Sequence, residues 1–131
     1  MSNDAKSRRV RVGVQLRQEL ARIVSRDLGD PRLEGLIIAN VSMTGDLRIA
    51  KIYWRLAVLE EPGPALRARL SDTEKALERA SGRLKRAITA RLQLRVAPEL
   101  KFEYDEGQEK RDRIDQLLEE VRKDETKKRP S

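Results

Sequence analysis

From Ser71 to Leu94 the chain carries one long, arginine-rich amphipathic helical pattern, interrupted at mid-length by Ala80-Ser81-Gly82, and any fold must be arranged around it. Ser71-Asp72-Thr73-Glu74 reads as an S-x-x-E capping box, which places the start of a helix at Ser71. Leu77, Ala80, Leu84, Ala87 and Ile88 then recur at helical spacing and form one apolar stripe. Lys75, Arg79, Arg83 and Arg86 recur every three or four residues on the other side, so their cations share a face. At mid-length stands Ala80-Ser81-Gly82, and a glycine inside a helix costs about 1 kcal/mol relative to alanine. Such a glycine invites a kink, a break into two helices, or the close approach of another backbone. A ligand is expected near that point.

The rest of the chain supplies partners for that helix. Arg8 to Leu28 is helical in pattern, with Val12, Leu16, Leu20, Ile23, Val24 and Leu28 on one side and Arg11, Gln15, Gln18, Arg22 and Arg26 on the other. Gly29-Asp30-Pro31 ends it, because glycine suits a left-handed cap and proline cannot continue a helix. A hairpin follows. Ile37, Ala39, Val41 and Met43 alternate with Ile38, Asn40 and Ser42, and Thr44-Gly45-Asp46 supplies the turn. In the returning strand Ala50, Ile52, Trp54 and Leu56 face inwards and Lys51, Tyr53 and Arg55 outwards. Trp54 is assigned to the core, and Tyr53 is the better candidate for stacking on a base. Glu60-Glu61-Pro62-Gly63-Pro64 is a loop, and 65–70 has room for a helical turn ahead of the main helix. Leu100, Phe102 and Tyr104 alternate with Lys101 and Glu103 in a third strand, and Arg113 to Val121 forms a C-terminal helix. Residues 1–7 are expected to be flexible, 8–122 to form one domain, and 123–131 to be a charged, disordered tail.

Charge narrows the function. A net charge of +7 and a pI near 10.0 call for a polyanion, nucleic acid first and an acidic membrane surface second. With no apolar run of spanning length and no signal segment, a soluble, unexported, cytoplasmic protein without a membrane partner is expected. The absence of cysteine fits a reducing compartment and removes disulfides and thiolate metal sites. Histidine is absent as well, so the commonest general base is missing along with the thiol nucleophile. Asp105, Glu106, Glu109, Asp112 and Asp115 lie close together, but Lys110, Arg111 and Arg113 among them make a solvated charged helix the simpler reading. No catalytic residue, metal, cofactor or small-molecule substrate is expected.

The order helix, strand, strand, helix, strand, with a terminal helix, describes an α+β fold in which two helices cover one face of a three-stranded sheet. It is similar to a type II KH domain, an RNA-binding class. The residues themselves resemble the ribosome-binding factor A family, bacterial assembly factors of the small ribosomal subunit. The resemblance is carried by Arg11 to Leu20, Asp30-Pro31-Arg32-Leu33, Val41 through Ala50-Lys51-Ile52-Tyr53, and Ala80-Ser81-Gly82. Pro98-Glu99-Leu100-Lys101-Phe102 and Arg113-Ile114-Asp115-Gln116-Leu117-Leu118 complete it, in order along nearly the whole chain. It implies a KH-like fold whose G-x-x-G loop is replaced by an A-x-G interruption of the helix, and no two glycines here have G-x-x-G spacing. It also implies a non-enzymatic protein that binds the immature small (30S) subunit through its 16S ribosomal RNA, assists late processing, and matters for growth in the cold. A monomer is expected.

The candidate RNA-binding residues are Arg79, Ala80, Ser81, Gly82, Arg83, Lys85 and Arg86. Arginines at this spacing present planar donor forks to phosphate oxygens, and glycine lets a backbone approach where a Cβ would obstruct it. Ser81 has two uses open to it, a bond to phosphate or a bond back to the preceding turn. The competing reading is a general KH-like module whose basic faces meet another RNA or an acidic protein.

Overall fold

A computed structural model describes residues 2–57, 61–107, 114 and 117–123 of the chain. Helix α1 spans Ser2–Arg26, a single 3-10 turn spans Pro31–Leu33, and strands β1 (Leu36–Met43) and β2 (Ile49–Leu56) form the hairpin. Helix α2 (Pro64–Arg91) and strand β3 (Glu99–Tyr104) follow. The sheet order is β1-β2-β3, with β1 and β2 antiparallel and β2 and β3 parallel. A parallel neighbour needs a long crossover, and α2 provides it. Leu16 and Leu20 of α1, Ala50, Ile52 and Trp54 of β2, and Leu77, Leu84 and Ile88 of α2 meet in one buried cluster. That cluster is the expected α+β core, aliphatic but for a single tryptophan.

Three features differ from those expected. Helix α1 already begins at Ser2, because Ala5, Lys6 and the arginines that follow are good helix formers and no proline precedes Pro31. Helix α2 begins at Pro64, the favoured first-turn position for proline, and not at the S-x-x-E box. Thr73 of that box is fully buried inside the helix. Its hydroxyl proton is shared between the Arg69 carbonyl at 2.9 Å and the Arg32 carbonyl at 3.2 Å, so it docks the 3-10 turn onto α2. The third difference is a bulge in β1. Ile38 pairs with Trp54 but Asn40 with Tyr53, so Ala39 is an extra residue and the pleat changes phase. Ile38, Val41 and Met43 are therefore buried, where simple alternation predicts Ile37 in place of Ile38.

Helix α2 stays unbroken through Ala80-Ser81-Gly82. A Cβ built on Gly82 meets only the Arg86 Nη1 atom, at 3.9 Å, so no other backbone approaches there. Gly13 is the opposite case. Its Cβ would stand 3.1 Å from the Val41 carbonyl oxygen, which shows how closely α1 lies on β1. Gly13→Val is expected to destabilise the fold by about 1–3 kcal/mol, the cost of overpacking a filled contact. Urea unfolding of the variant measures it; a change below about 0.5 kcal/mol would show that α1 can lift away freely.

The C-terminal helix expected over 113–121 lies partly outside the described residues; residues 117–123 are helical, with Leu117, Leu118 and Val121 exposed. Among the described residues, no helix is long and apolar enough to cross a membrane.

Candidate nucleic-acid interface

The structure sorts the arginines into two kinds. Some are partnered. Arg32 grips the Asp30 carboxylate with two nitrogens, Nε to Oδ1 at 3.1 Å and Nη2 to Oδ2 at 2.8 Å. These bonds, with one from the Arg32 amide and a smaller contribution from the Arg79 charge, hold the Asp30 carboxyl below the usual carboxylate range. Arg91 joins the helices, donating to Glu19 at 3.1 Å and Asp27 at 3.0 Å, and both carboxylates raise its already high pKa. Arg22 of the expected basic stripe pairs with Glu19.

The cations along the middle of α2, from Lys75 to Arg86, are of the other kind. Arg79, Gly82, Arg83 and Arg86 are all exposed, and their i, i+3, i+4, i+7 spacing stacks them into one ridge that Lys75 extends. Among the described residues, none of these four cations forms an ion pair. Like charges at that spacing destabilise a helix by about 0.2–0.5 kcal/mol per pair, so the bare ridge carries a small cost that a polyanion would remove. A shallow cleft of about 170 Å³, lined by Asp30, Leu33, Ala76, Arg79 and Arg83 among others, runs beside it.

Of the seven candidate residues, then, the fold gathers Arg79, Gly82, Arg83 and Arg86 on the open face. Ala80 packs partly against the core, and Lys85 is half-buried on the flank. Ser81 takes the second of its two uses: its hydroxyl donates to the Glu78 carbonyl at 2.8 Å. Tyr53 is half-buried on the outer face of the sheet, opposite Asn40 and Glu103. Of the five clustered carboxylates, only Asp105 and Glu106 are among the described residues. The pattern missed the role of Asp30-Pro31-Arg32-Leu33, which braces α2 beside the ridge; its D-x-R spacing was the one available signal.

The connectivity and the mixed three-stranded sheet are those of a type II KH-like domain, with α2 running straight through Ala80-Ser81-Gly82 where the interruption was expected. The sequence model of the family described as Ribosome-binding factor A matches residues 8–118. A ribosome-binding factor A of Sorangium cellulosum is 43% identical over 115 residues, covering 88% of this chain and 89% of that one. The Staphylococcus carnosus protein of that name is 37% identical over 119 residues, covering 91% and 97%. The crystal structure of ribosome-binding factor A from Thermus thermophilus superposes with a TM-score of 0.59 at 28% identity, over 73% of this chain and 94% of that one. A Thermus thermophilus homology model fitted into a cryo-EM map of a 30S–RbfA complex gives a TM-score of 0.53 at 33% identity, over 72% and 92%. This chain belongs to the ribosome-binding factor A family.

Proposed function

We propose that the protein is a ribosome assembly factor that binds the immature small subunit through its 16S ribosomal RNA. It assists late processing and maturation of that RNA, which matters most in the cold, when misfolded RNA helices rearrange slowly. The observation that carries the reading is the ridge of cations on α2 that form no ion pair among the described residues, whereas Arg32, Arg69 and Arg91, which brace the fold, have carboxylate or carbonyl partners. The Thermus relative fitted into a 30S complex supports the choice of partner. Cations aimed at phosphates carry no base information, so selectivity comes from the shape of the folded RNA. The protein works without catalysis or cofactor, as a cytoplasmic monomer: binding energy alone biases which RNA fold persists.

Gly82 supplies the test. Its surroundings have room for a side chain, so Gly82→Leu is expected to fold normally and gain up to about 1 kcal/mol of helix stability. The same leucine would stand between Arg79 and Arg86 and hold the RNA backbone off the ridge. Binding to purified immature subunits is therefore expected to fall severalfold. Unchanged binding by a folded Gly82→Leu protein would place the interface elsewhere.

A further inference from the structure

Two non-glycine residues among the described ones have positive φ, Leu47 at 60° and Gln93 at 53°, and both line the same surface basin. Side chains disfavour this backbone region, and residues held in it gather at functional sites. The basin, about 880 Å³ and open to solvent, lies where the first turns of α1, the tip of the β1–β2 hairpin and the α2–β3 connection meet. Arg8, Arg9 and Arg11 enter it from α1, Arg48 from the hairpin and Arg95 from the connection. Arg8, Arg9, Arg11 and Arg95 have no ion pair among the described residues. Arg48 has a distant one, 4.0 Å from Asp46. Asp46 is the one carboxylate in the lining, and it already accepts from the Thr44 hydroxyl and the Arg48 amide.

Packing explains one of the two backbone outliers. The Leu47 side chain is packed against the core, which pins the hairpin tip and presents Arg48 from a rigid support. Gln93 has no such reason. It occupies the left-handed position that ends α2, with the Leu94 amide donating to the Thr89 carbonyl at 3.0 Å, and glycine is the favoured residue there. The glutamine side chain is exposed and makes no hydrogen bond among the described residues, so it does nothing for the helix end. It faces the arginines as an amide able to donate and accept.

We propose that this basin is a second phosphate-binding surface, holding the backbone of a structured RNA at a point separate from the α2 ridge; the proposal rests on the RNA-binding reading above. Guanidinium forks from three separate parts of the fold converge there, matched to phosphate oxygens. No aromatic residue lines the basin, Leu92 and Leu94 are packed against the core, and Val96 alone of its apolar lining is well exposed, which falls short of the anchoring pocket that protein partners use. The basin is separate from the ridge because its cations come from α1, the hairpin and the α2–β3 connection, and none of them belongs to α2.

The test is binding of the full chain to purified immature small subunits over a range of salt, with Arg11→Gln, Arg48→Gln and Arg95→Gln combined. All three positions are exposed, and far-UV circular dichroism checks the fold. Each phosphate contact contributes about 0.7–0.9 to the slope of log affinity against log salt, so the slope is expected to become shallower by about two. Affinity at low salt is expected to fall at least tenfold. Gln93→Gly, which keeps the helix end and removes the side chain, is expected to weaken binding by a smaller factor. A photo-crosslinker placed at position 93 is expected to label ribosomal RNA. An unchanged slope and affinity, or crosslinking to a ribosomal protein alone, would overturn the proposal. Failure of the wild-type chain to bind subunits at any salt would instead remove the reading beneath it.

Discussion

Arg79→Glu combined with Arg83→Glu is expected to lower affinity for the small subunit by two orders of magnitude or more, with no loss of fold. Phosphate neutralisation sets the size of the effect. If Arg79, Arg83, Arg86 and Lys75 neutralise about four phosphates, log affinity falls with log salt at a slope of roughly −3 to −4. Losing two of those contacts removes about half of the ridge's share of the slope, and two carboxylates facing phosphates add repulsion to the loss. Stability moves the other way. Neither arginine forms an ion pair among the described residues, so only the small through-space attraction between Arg79 and Asp30 is lost. The glutamates would fall at helical spacing from Lys75 and Arg86, turning those two like-charge pairs into opposite ones worth about 0.2–0.5 kcal/mol each, while positions 79 and 83 stay a like-charge pair as before. A thermal melt should therefore be unchanged or slightly raised while binding collapses. If binding collapsed only because the melt fell, or if it did not fall at all, the ridge would be an ordinary solvated helix face.

The largest stability effect is expected at Trp54. It is 2% exposed, sits on the central strand, and its ring lies 5.1 Å from that of Tyr104. Trp54→Ala is expected to cost about 3–5 kcal/mol, a large share of the roughly 5–15 kcal/mol that holds a typical domain together. Trp54→Phe should be far milder, for a reason beyond size. The indole Nε1–H is buried and finds no acceptor among the described residues, an unmet donor whose desolvation costs about 1–3 kcal/mol. Phenylalanine removes that donor while keeping most of the apolar area and the contact with Tyr104. Urea unfolding of both variants separates the two contributions. Equal losses from phenylalanine and alanine would mean that the indole proton is satisfied after all.

What could be read in the chain, and what could not, follows from the range of each interaction. The ridge was legible because i, i+4 spacing is local: wherever α2 forms, Arg79, Arg83 and Arg86 share a face. The inward set of β2 was legible for the same reason, since Lys51, Tyr53 and Arg55 mark its outer side. In β1, Leu36-Ile37-Ile38-Ala39 is apolar at every position, so alternation had no phase there, and the bulge at Ala39 settled it. The S-x-x-E box carries a real local preference, but Pro64 and the leucine- and arginine-rich turn after it start the helix earlier, and Thr73 serves a tertiary bond instead. The Arg91 bridge joins residues 72 and 64 positions apart, and no local pattern announces such a pair. The basin is harder still to foresee. Arg8 and Arg11 are visible as a basic run, but only the fold brings Arg48 and Arg95 to them.

Small-subunit binding is decided by sedimentation of cell lysate through a density gradient, following this protein across the ribosomal peaks at low and moderate salt. The expected result is a signal with free small subunits, weak on assembled ribosomes, that moderate salt strips away. A signal confined to the top of the gradient at every salt would contradict the claim and leave the arginine ridge to a different polyanion.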